Sequence, residues 1–470
     1  MSRINTNVSS LIAQRVLKQN NSNLNTSLER LSTGLAINTG ADNPAGLIAS
    51  ENLRAEKAGI TQAIDNAGRA SNIIGTAEGG LSEVSSLLTE LQSLVSQSAN
   101  SGGLSKEEIG ANQLQVDSIL STINRLAQST TFEGAKLLNG NYDYATSGAT
   151  STTFDNVRIN AAKVPDGATV NVVVQVVASA QTGALSYAGG PVGANGVTIE
   201  VAGNGGTTQL SFASGTAVSA VAASIVANKQ STGVSAVVNG GNIQFNSTGF
   251  GSDQFVSVKS IAGTFVVTGG ASGKDYGQDA QVKVNGADAQ AEGTAVSYRS
   301  SSLDVEFDLD NAFNQPGTSS FTITGGGASF SLGSKVSETD KASLGIGSVS
   351  TGSLGDNTIG YLSSLASGGA ADLRSSNLVT AQKVIDKAIK QVSQLRGRLG
   401  AFQKFTIGST INSLGVAYEN VSASESAIRD TDFAEETAKL TRSQILSQAS
   451  TTVLSQANAS PQNALALLGR

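Results

Sequence analysis

Four carboxylates at alternating positions, Asp304, Glu306, Asp308 and Asp310, are the residues of this sequence whose spacing most suggests chemistry. Two carboxyls converging across a cleft can cleave a glycosidic bond as an acid and a base or nucleophile. Period-two spacing instead sets all four along one face of one strand and its end, where they read as a solvated edge. Gly325-Gly326-Gly327 reads as a turn, because no Lys-Ser/Thr follows it and no G-x-G-x-x-G context frames it. The basic stretch Lys383, Lys387, Lys390, Arg396, Arg398 and Lys404 falls on a helix and reads as a solvated or interchain face. Among 470 residues there is no His, no Cys and no Trp. That removes histidine bases, thiolate nucleophiles, disulfides and thiolate zinc sites. No D-x-D-x-D-G loop gathers carboxylates for a metal. The sequence therefore assigns no catalytic, cofactor-binding or metal residues and expects no cofactor and no enzyme, although chemistry built on Asp, Glu, Lys, Ser or Tyr stays open by composition alone.

The elements around these residues fall into three blocks. Five prolines stand at 44, 165, 191, 316 and 461, so 45–164 and 317–460 are free of them, as long helices require. Residues 1–140 hold 13 glycines, 141–372 hold 35 and 373–470 hold 5, which places turn-rich chain in the middle. The middle also holds 16 of the 21 aromatics, the usual partners of β-structure. The same blocks carry −2, −8 and +4, out of a net −6. Nearly neutral arms can pack against copies of themselves, and an acidic insert belongs in water. That charge gives no reason to expect nucleic acid. No apolar run of 18 residues exists to cross a membrane, and Met1–Ser10 lacks the apolar core of a signal peptide.

The longest regular pattern runs through Ile60, Ala63, Ala67, Ala70, Ile74, Ala77, Leu81, Val84, Leu88, Leu91, Val95 and Ser98. Steps of three and four residues predict one helix roughly 58 Å long. Burying its seven large apolar residues is worth roughly 10–20 kcal/mol. Fixing its backbone costs roughly 40–80 kcal/mol, offset only partly by helix hydrogen bonds. The helix therefore needs neighbours on several sides, from this chain or from copies of it. Gly79-Gly80 within it marks a kink or a close approach. A helix at 106–128, with Ile109, Val116, Ile119, Ile123 and Leu126 inward, returns antiparallel after a turn at 100–104.

A second seam, Ile385, Ala388, Val392, Leu395, Leu399 and Phe402, resumes after a phase shift as Ile407, Ile411, Leu414, Tyr418, Val421 and Ile428. Its match to the first predicts that the two arms pair. Asn43-Pro44 reads as a cap and first helical residue. A first helix at 4–35 presents Leu17, Leu24, Leu28, Leu31 and Leu35, and a last one at 432–457 ends before Pro461. Between the arms, alternation predicts strands at 169–177, 197–202, 208–213, 234–239, 242–247, 254–260, 264–268, 281–285, 295–300, 303–309, 320–324 and 329–333. One helix near 217–229 covers them. The fold class is mainly α termini, as a long antiparallel helical bundle or coiled coil, with a β-rich central insert: α+β and multidomain.

Several motifs carry a resemblance. Ile4-Asn-Thr-Asn7, Glu29-Arg-Leu-Ser-Thr-Gly-Leu35, Gln97-Ser-Ala-Asn100 and Phe132-Glu-Gly-Ala-Lys-Leu-Leu-Asn-Gly140 resemble the N-terminal region of bacterial flagellin. Ile428-Arg-Asp-Thr-Asp-Phe433, Ser443-Gln-Ile-Leu-Ser-Gln-Ala449, Val453-Leu-Ser-Gln-Ala-Asn458 and Pro461-Gln-Asn463 resemble its C-terminal region. Thr248-Gly-Phe-Gly-Ser-Asp-Gln-Phe-Val256 resembles a β module of flagellin inserts. The resemblance implies a self-assembling subunit of the flagellar filament used for swimming. It divides the chain into 1–44, an N-terminal filament-core helix and connecting loop; 45–144, rod helices and a β-hairpin; 145–372, a variable surface insert of one or two domains; 373–428, the C-terminal rod helix; and 429–470, the C-terminal filament-core helix.

On that reading Ile4, Val8, Leu11, Leu24, Leu28, Leu31, Leu35, Ile445, Leu446, Val453, Leu454, Leu465 and Leu468 pack the filament core. The rod seam is Ile60, Ile74, Leu81, Val84, Leu88, Leu91, Val95, Ile385, Val392, Leu395, Leu399, Ile411 and Leu414. The partners implied are copies of the chain, the flagellar export apparatus and its chaperone, and the hook-associated and cap proteins. No nucleic acid and no membrane insertion are expected. The location implied is the extracellular flagellum, reached by type III export without a cleaved signal peptide. Many flagellins carry Arg at the position of Ala36. Where the animal flagellin receptor is engaged, the family carries Arg at the position of Glu90 and Glu at that of Gln115, while Leu94 agrees. A reversed charge in that patch implies weak or absent receptor activation. Two other readings are a hook–filament junction protein of the same family and a surface adhesin acting through the insert.

Overall fold

The computed structural model describes residues 6–468 apart from 101, 102, 166 and 376, with side-chain surroundings as far as Ser460. Ile4, the 101–102 part of the expected turn, and the side chains of Leu465 and Leu468 lie outside the described residues. The helices are α1 (Val8–Thr33), α2 (Pro44–Ser98), α3 (Lys106–Ser129), α4 (Val218–Ala227), α5 (Lys229–Thr232), α6 (Leu378–Ala401), α7 (Gly408–Arg429) and α8 (Phe433–Leu468). Two compact units divide the chain. One comprises Met1–Gly68, Leu332–Val336 and Ile407–Arg470, the other Arg69–Ser331 and Ser337–Thr406. The division falls inside α2 and does not follow the compositional segments. Composition records local chemistry, whereas compactness depends on which elements pack together.

In the second unit the α2 stripe is closed from within the chain. Every stripe residue from Ala70 to Ser98 is buried, and Ile74, Leu81, Val84, Leu88 and Leu91 are 0% exposed. α6 runs antiparallel to it, with Gln92 bonded to Asp386 (3.2 Å), Glu78 to Arg396 (2.8 Å) and Ser71 to Gln403 (3.0 Å). α3 begins with a capping box, the Ser105 hydroxyl accepting the Glu108 N–H while the Glu108 carboxylate accepts the Ser105 N–H. It buries Val116, Ile119, Leu120 and Ile123, and its Asn112 donates to the buried Ser98 hydroxyl (3.1 Å). Leu126 is half-buried, one step off the inward face.

α2 continues through Gly79-Gly80. The pair marks a close approach, because a Cβ on Gly80 would stand 2.8 Å from Thr130 Oγ1 and 2.9 Å from Leu138 Cδ1. Gly80→Val should therefore cost about 1–3 kcal/mol, read as a lower urea midpoint for the helical core, while Gly79→Ala, with open space, should not. The phase shift in the second seam is a π turn at Phe402–Ile407 between α6 and α7, which inserts the extra residue the spacing requires.

The insert has two cores. Its larger sheet orders Tyr144–Ser147, Gly317–Gly326, Val170–Ala178, Gln281–Val284, Ala287–Glu292, Ala295–Arg299, Leu303–Leu309 and Phe154–Ala162, all antiparallel. Phe154, Phe307 and Phe321 meet edge-to-face at its centre. The smaller core lies between Val267–Thr268, Ala184–Tyr187, Asn242–Ser247, Val234–Asn239 and a second sheet of Lys274–Tyr276, Phe255–Ala262, Val197–Gly203, Gly206–Phe212. α4 closes it with Val221, Ala222 and Ile225. The sequence missed strands such as Phe154–Ala162 and Ala287–Glu292, whose alternation is blurred by Asn, Asp and Ala.

Asp279 ties the two cores together, accepting the Ser252 hydroxyl (2.6 Å) and N–H (2.9 Å) and the Gly293 N–H (2.7 Å). These donors, the Ser252 hydroxyl foremost, hold its carboxyl below the ordinary value of 3.8. A depressed folded value gives stability that is present above the ordinary carboxylate range and lost as pH falls through the folded value. Asp279→Asn should therefore destabilise the insert at neutral pH and erase that acid-side loss, measured as melting temperature against pH from 7 to 2.

Candidate assembly surface

Asp304, Glu306, Asp308 and Asp310 form no catalytic pair. Leu303–Leu309 is not an edge, as expected from the sequence, but is paired on both sides, since edge position depends on long-range pairing that alternation does not encode. Asp304 accepts from Asn160 (2.9 Å), Asp308 from Asn156 (2.7 Å), and Arg299 lies 3.1 Å from Glu306. Asp310 caps the following turn through the Ala312 N–H (2.8 Å). The basic stretch divides: Lys383, Lys390 and Lys404 stand in solvent as expected, while Lys387 lies 3.0 Å from the buried Asp356 and Arg396 2.8 Å from Glu78. Among the described residues no cluster of three or more His, Cys, Asp or Glu could hold a metal, and no helix is long and apolar enough to cross a membrane.

The surface that asks for a partner is the α1–α8 pair in the first unit. Asn7 caps α1, accepting the Ser10 N–H (3.0 Å), and Gly34 ends it at φ 75°, a left-handed position that favours glycine. The chain ends are then clasped: the Ala36 N–H donates to Arg429 O (2.7 Å) and the Thr431 N–H to Gly34 O (2.9 Å). Between the helices the contacts are small and polar. Ser10 Oγ donates to Asn458 Oδ1 (2.7 Å), Asn20 Nδ2 to Ser450 Oγ (2.7 Å), and Ser447 Oγ to Asn21 Oδ1 (2.7 Å). Ser10, Ala13, Ser27 and Ser450 are buried there, as is Glu436, 3.8 Å from Arg30 and 3.7 Å from Lys439.

α8 does not stop before Pro461, as the sequence predicts, but runs on to Leu468. A helical proline leaves the carbonyl four residues earlier without its N–H donor. That carbonyl is Ala457 O, and Asn7 Nδ2 supplies the missing bond at 2.9 Å.

The large apolar side chains point the other way. Val8 and Leu11 are each 57% exposed, Ile445 61% and Val453 58%, with Leu28 and Leu446 also exposed. Leu24, Leu31, Leu35 and Leu454 are half-buried. Ile12, Val16 and Phe433 belong to the same exposed set and escaped the sequence reading, although Leu11-Ile12 and Val16 repeat at helical spacing from Val8. Burial also fades along the second seam. α6 buries Ile385, Val392, Leu395 and Leu399, whereas Ile411 and Leu414 of α7 are only half-buried and Tyr418 is exposed.

Of the two kinds of neighbour open to the rod stripe, this chain or copies of it, the chain itself supplies the burial from Ile60 to Ser98. Glu90 and Gln115 are exposed, but Leu94 is 7% exposed and turned inward, so it is no surface contact in the patch sketched from the sequence.

Residues 4–143 match the model of the bacterial flagellin N-terminal helical region, 382–468 that of the C-terminal helical region, and 196–249 the flagellin hook IN motif. Polar flagellin B/D of Vibrio parahaemolyticus is 31% identical over 475 residues, spanning 99% of both chains. Flagellin D of Vibrio anguillarum is 30% identical, again over 99% of both. B-type flagellin of Pseudomonas aeruginosa is 29% identical over 99% of both. The solved structure of FliC from Burkholderia pseudomallei superposes with a TM-score of 0.24 at 14% identity, covering 71% of this chain and 99% of that one.

Proposed function

The chain belongs to the bacterial flagellin family and is a structural subunit of the flagellar filament, not an enzyme; we propose that its α1–α8 pair is the surface through which copies stack. One observation carries this reading: the pair turns its small polar residues inward and its large apolar residues outward. A lone soluble chain seldom leaves such a stripe in water. Nine side chains, about half exposed, have roughly 7–13 kcal/mol of apolar burial still to gain. One pairwise contact would barely offset the roughly 4–15 kcal/mol of lost freedom, so the surface favours many simultaneous neighbours over a dimer. A head-to-tail contact whose rotation does not close gives a filament.

Within this proposal, 1–44 and 429–470 line the filament core, 45–144 and 373–428 form the rod, and 145–372 faces outward. The core contacts are Val8, Leu11, Leu24, Leu28, Leu31, Leu35, Ile445, Leu446, Val453 and Leu454, together with Ile4, Leu465 and Leu468. The subunit leaves the cell unfolded through the flagellar export apparatus with its chaperone and meets hook-associated and cap proteins at the filament ends. Limited proteolysis tests the surface directly. Both ends should be trimmed in monomer and protected in polymer, and equal trimming in both states would overturn coupled assembly.

The same reading extends to immune recognition. With an exposed acidic Glu90, an exposed neutral Gln115 and an inward Leu94, monomer should activate the animal flagellin receptor weakly or not at all. A receptor reporter assay giving a full response would sink that expectation.

A further inference from the structure

The described arginines of this protein are ion-paired or stand in solvent, with two exceptions. Seven of the described arginines lie within 3.8 Å of a carboxylate. Arg15, Arg125 and Arg442 stand in solvent. Arg158, on Phe154–Ala162, and Arg398, on α6, are half-buried, line the same cavity of about 340 Å³, and among the described residues neither has a carboxylate within ion-pair distance. Arg398 Nε is buried without any hydrogen-bond partner. Burial first, and then the neighbouring charge of Arg158, depresses the Arg398 guanidinium from its ordinary value, with Glu306 and Asp304 compensating only in part.

Leaving a buried N–H unsatisfied and two like charges together both cost free energy, so the arrangement asks for something between them. Asp143, the carboxylate of the same cavity, accepts the Tyr144 N–H (2.9 Å) and reaches neither guanidinium. The cavity is left with one net positive charge. The adjoining cleft of about 650 Å³ shares Arg158 and Gln391, and its four basic and four acidic side chains balance. With Arg158 counted once, cavity and cleft together hold five basic and five acidic side chains, so the positive excess is local to the smaller cavity.

We propose that the cavity between Arg158 and Arg398 binds a small carboxylate or phosphate anion. The planar guanidinium fork matches such oxygens in pairs, and an anion there would satisfy Arg398 Nε while screening the two cations from each other. The site draws on residues from the insert and from α6, both within one compact unit, so an occupied site would brace the sheet against the helix.

The test uses the full-length chain kept monomeric, titrated with sodium phosphate or sodium succinate while sodium chloride holds ionic strength constant. A saturable rise in melting temperature, with calorimetric stoichiometry near one, is the expected result for at least one anion. The anion that saturates at lower concentration identifies phosphate or carboxylate as the class. Arg398→Gln should weaken binding at least tenfold while melting no lower than the parent in chloride alone, because it removes an unpaired buried charge. Arg125→Gln, in solvent, should bind as the parent does. If Arg398→Gln fails to fold, Arg158→Lys keeps the charge but loses the fork, and should still weaken binding severalfold. No saturable rise with either anion, or a rise retained in every folded variant of the pair, would overturn the site.

Discussion

A chain carrying Ile445→Ser and Val453→Ser should stay monomeric at concentrations where the parent polymerises, with its critical concentration raised roughly 30- to 400-fold. Both side chains lie on α8, 61% and 58% exposed, so most of their apolar surface is still to be buried. Each forgoes roughly 1–1.8 kcal/mol of further burial when cut back to serine. Serine has nearly the helix propensity of isoleucine and valine, so α8 itself should persist. Sedimentation of polymer from monomer gives the critical concentration, and circular dichroism checks the helix. Unchanged polymerisation with intact helix content would show that this stripe is not the stacking surface. Loss of helix in the monomer would mean the stripe had been supporting the chain itself, which its exposure argues against.

Leu88→Ala should do the opposite, destabilising the monomer by about 2–5 kcal/mol without acting on the stacking surface. Leu88 is 0% exposed within a stripe that α2 buries against its own chain, so the lost side chain leaves a cavity that neighbouring helices fill only in part. Leu11→Ala, at 57% exposure, should change monomer stability by less than about 0.5 kcal/mol. Urea unfolding of the full chain, followed by far-ultraviolet circular dichroism, separates the two. A molecule with two compact units can unfold in more than one transition, so the shift belongs to the helical transition and not to a single global midpoint. Equal effects from Leu88→Ala and Leu11→Ala would contradict the division between a self-buried rod and an open terminal pair.

The sequence alone settled the features that depend on near neighbours in the chain. Helical spacing located the α2 stripe residue for residue, because side-chain direction on a helix follows from 3.6 residues per turn. The slip between Phe402 and Ile407 shows in the spacing and is a π turn in the fold, and Asn43-Pro44 marks the start of α2 in both. Absent His and Cys excluded their chemistry by composition, and paired terminal motifs pointed to the family.

Only the tertiary structure decided which surfaces were left over. Whether a seam is closed by its own chain or by another copy depends on how many helices reach it, and that is a property of packing. Hence the rod stripe, thin in large residues, is closed within the molecule, while α1 and α8 meet through serine and asparagine and leave Val8, Leu11, Ile12, Val16, Ile445 and Val453 outside. The same dependence on distant partners moved the acidic strand from an edge to the interior of a sheet. It also let Asn7 rescue a helix that Pro461 would otherwise have ended, and brought Arg158 to Arg398 across 240 residues of chain. Local periodicity fixes the direction of a side chain; what stands in front of it is set by contacts the chain makes only once folded.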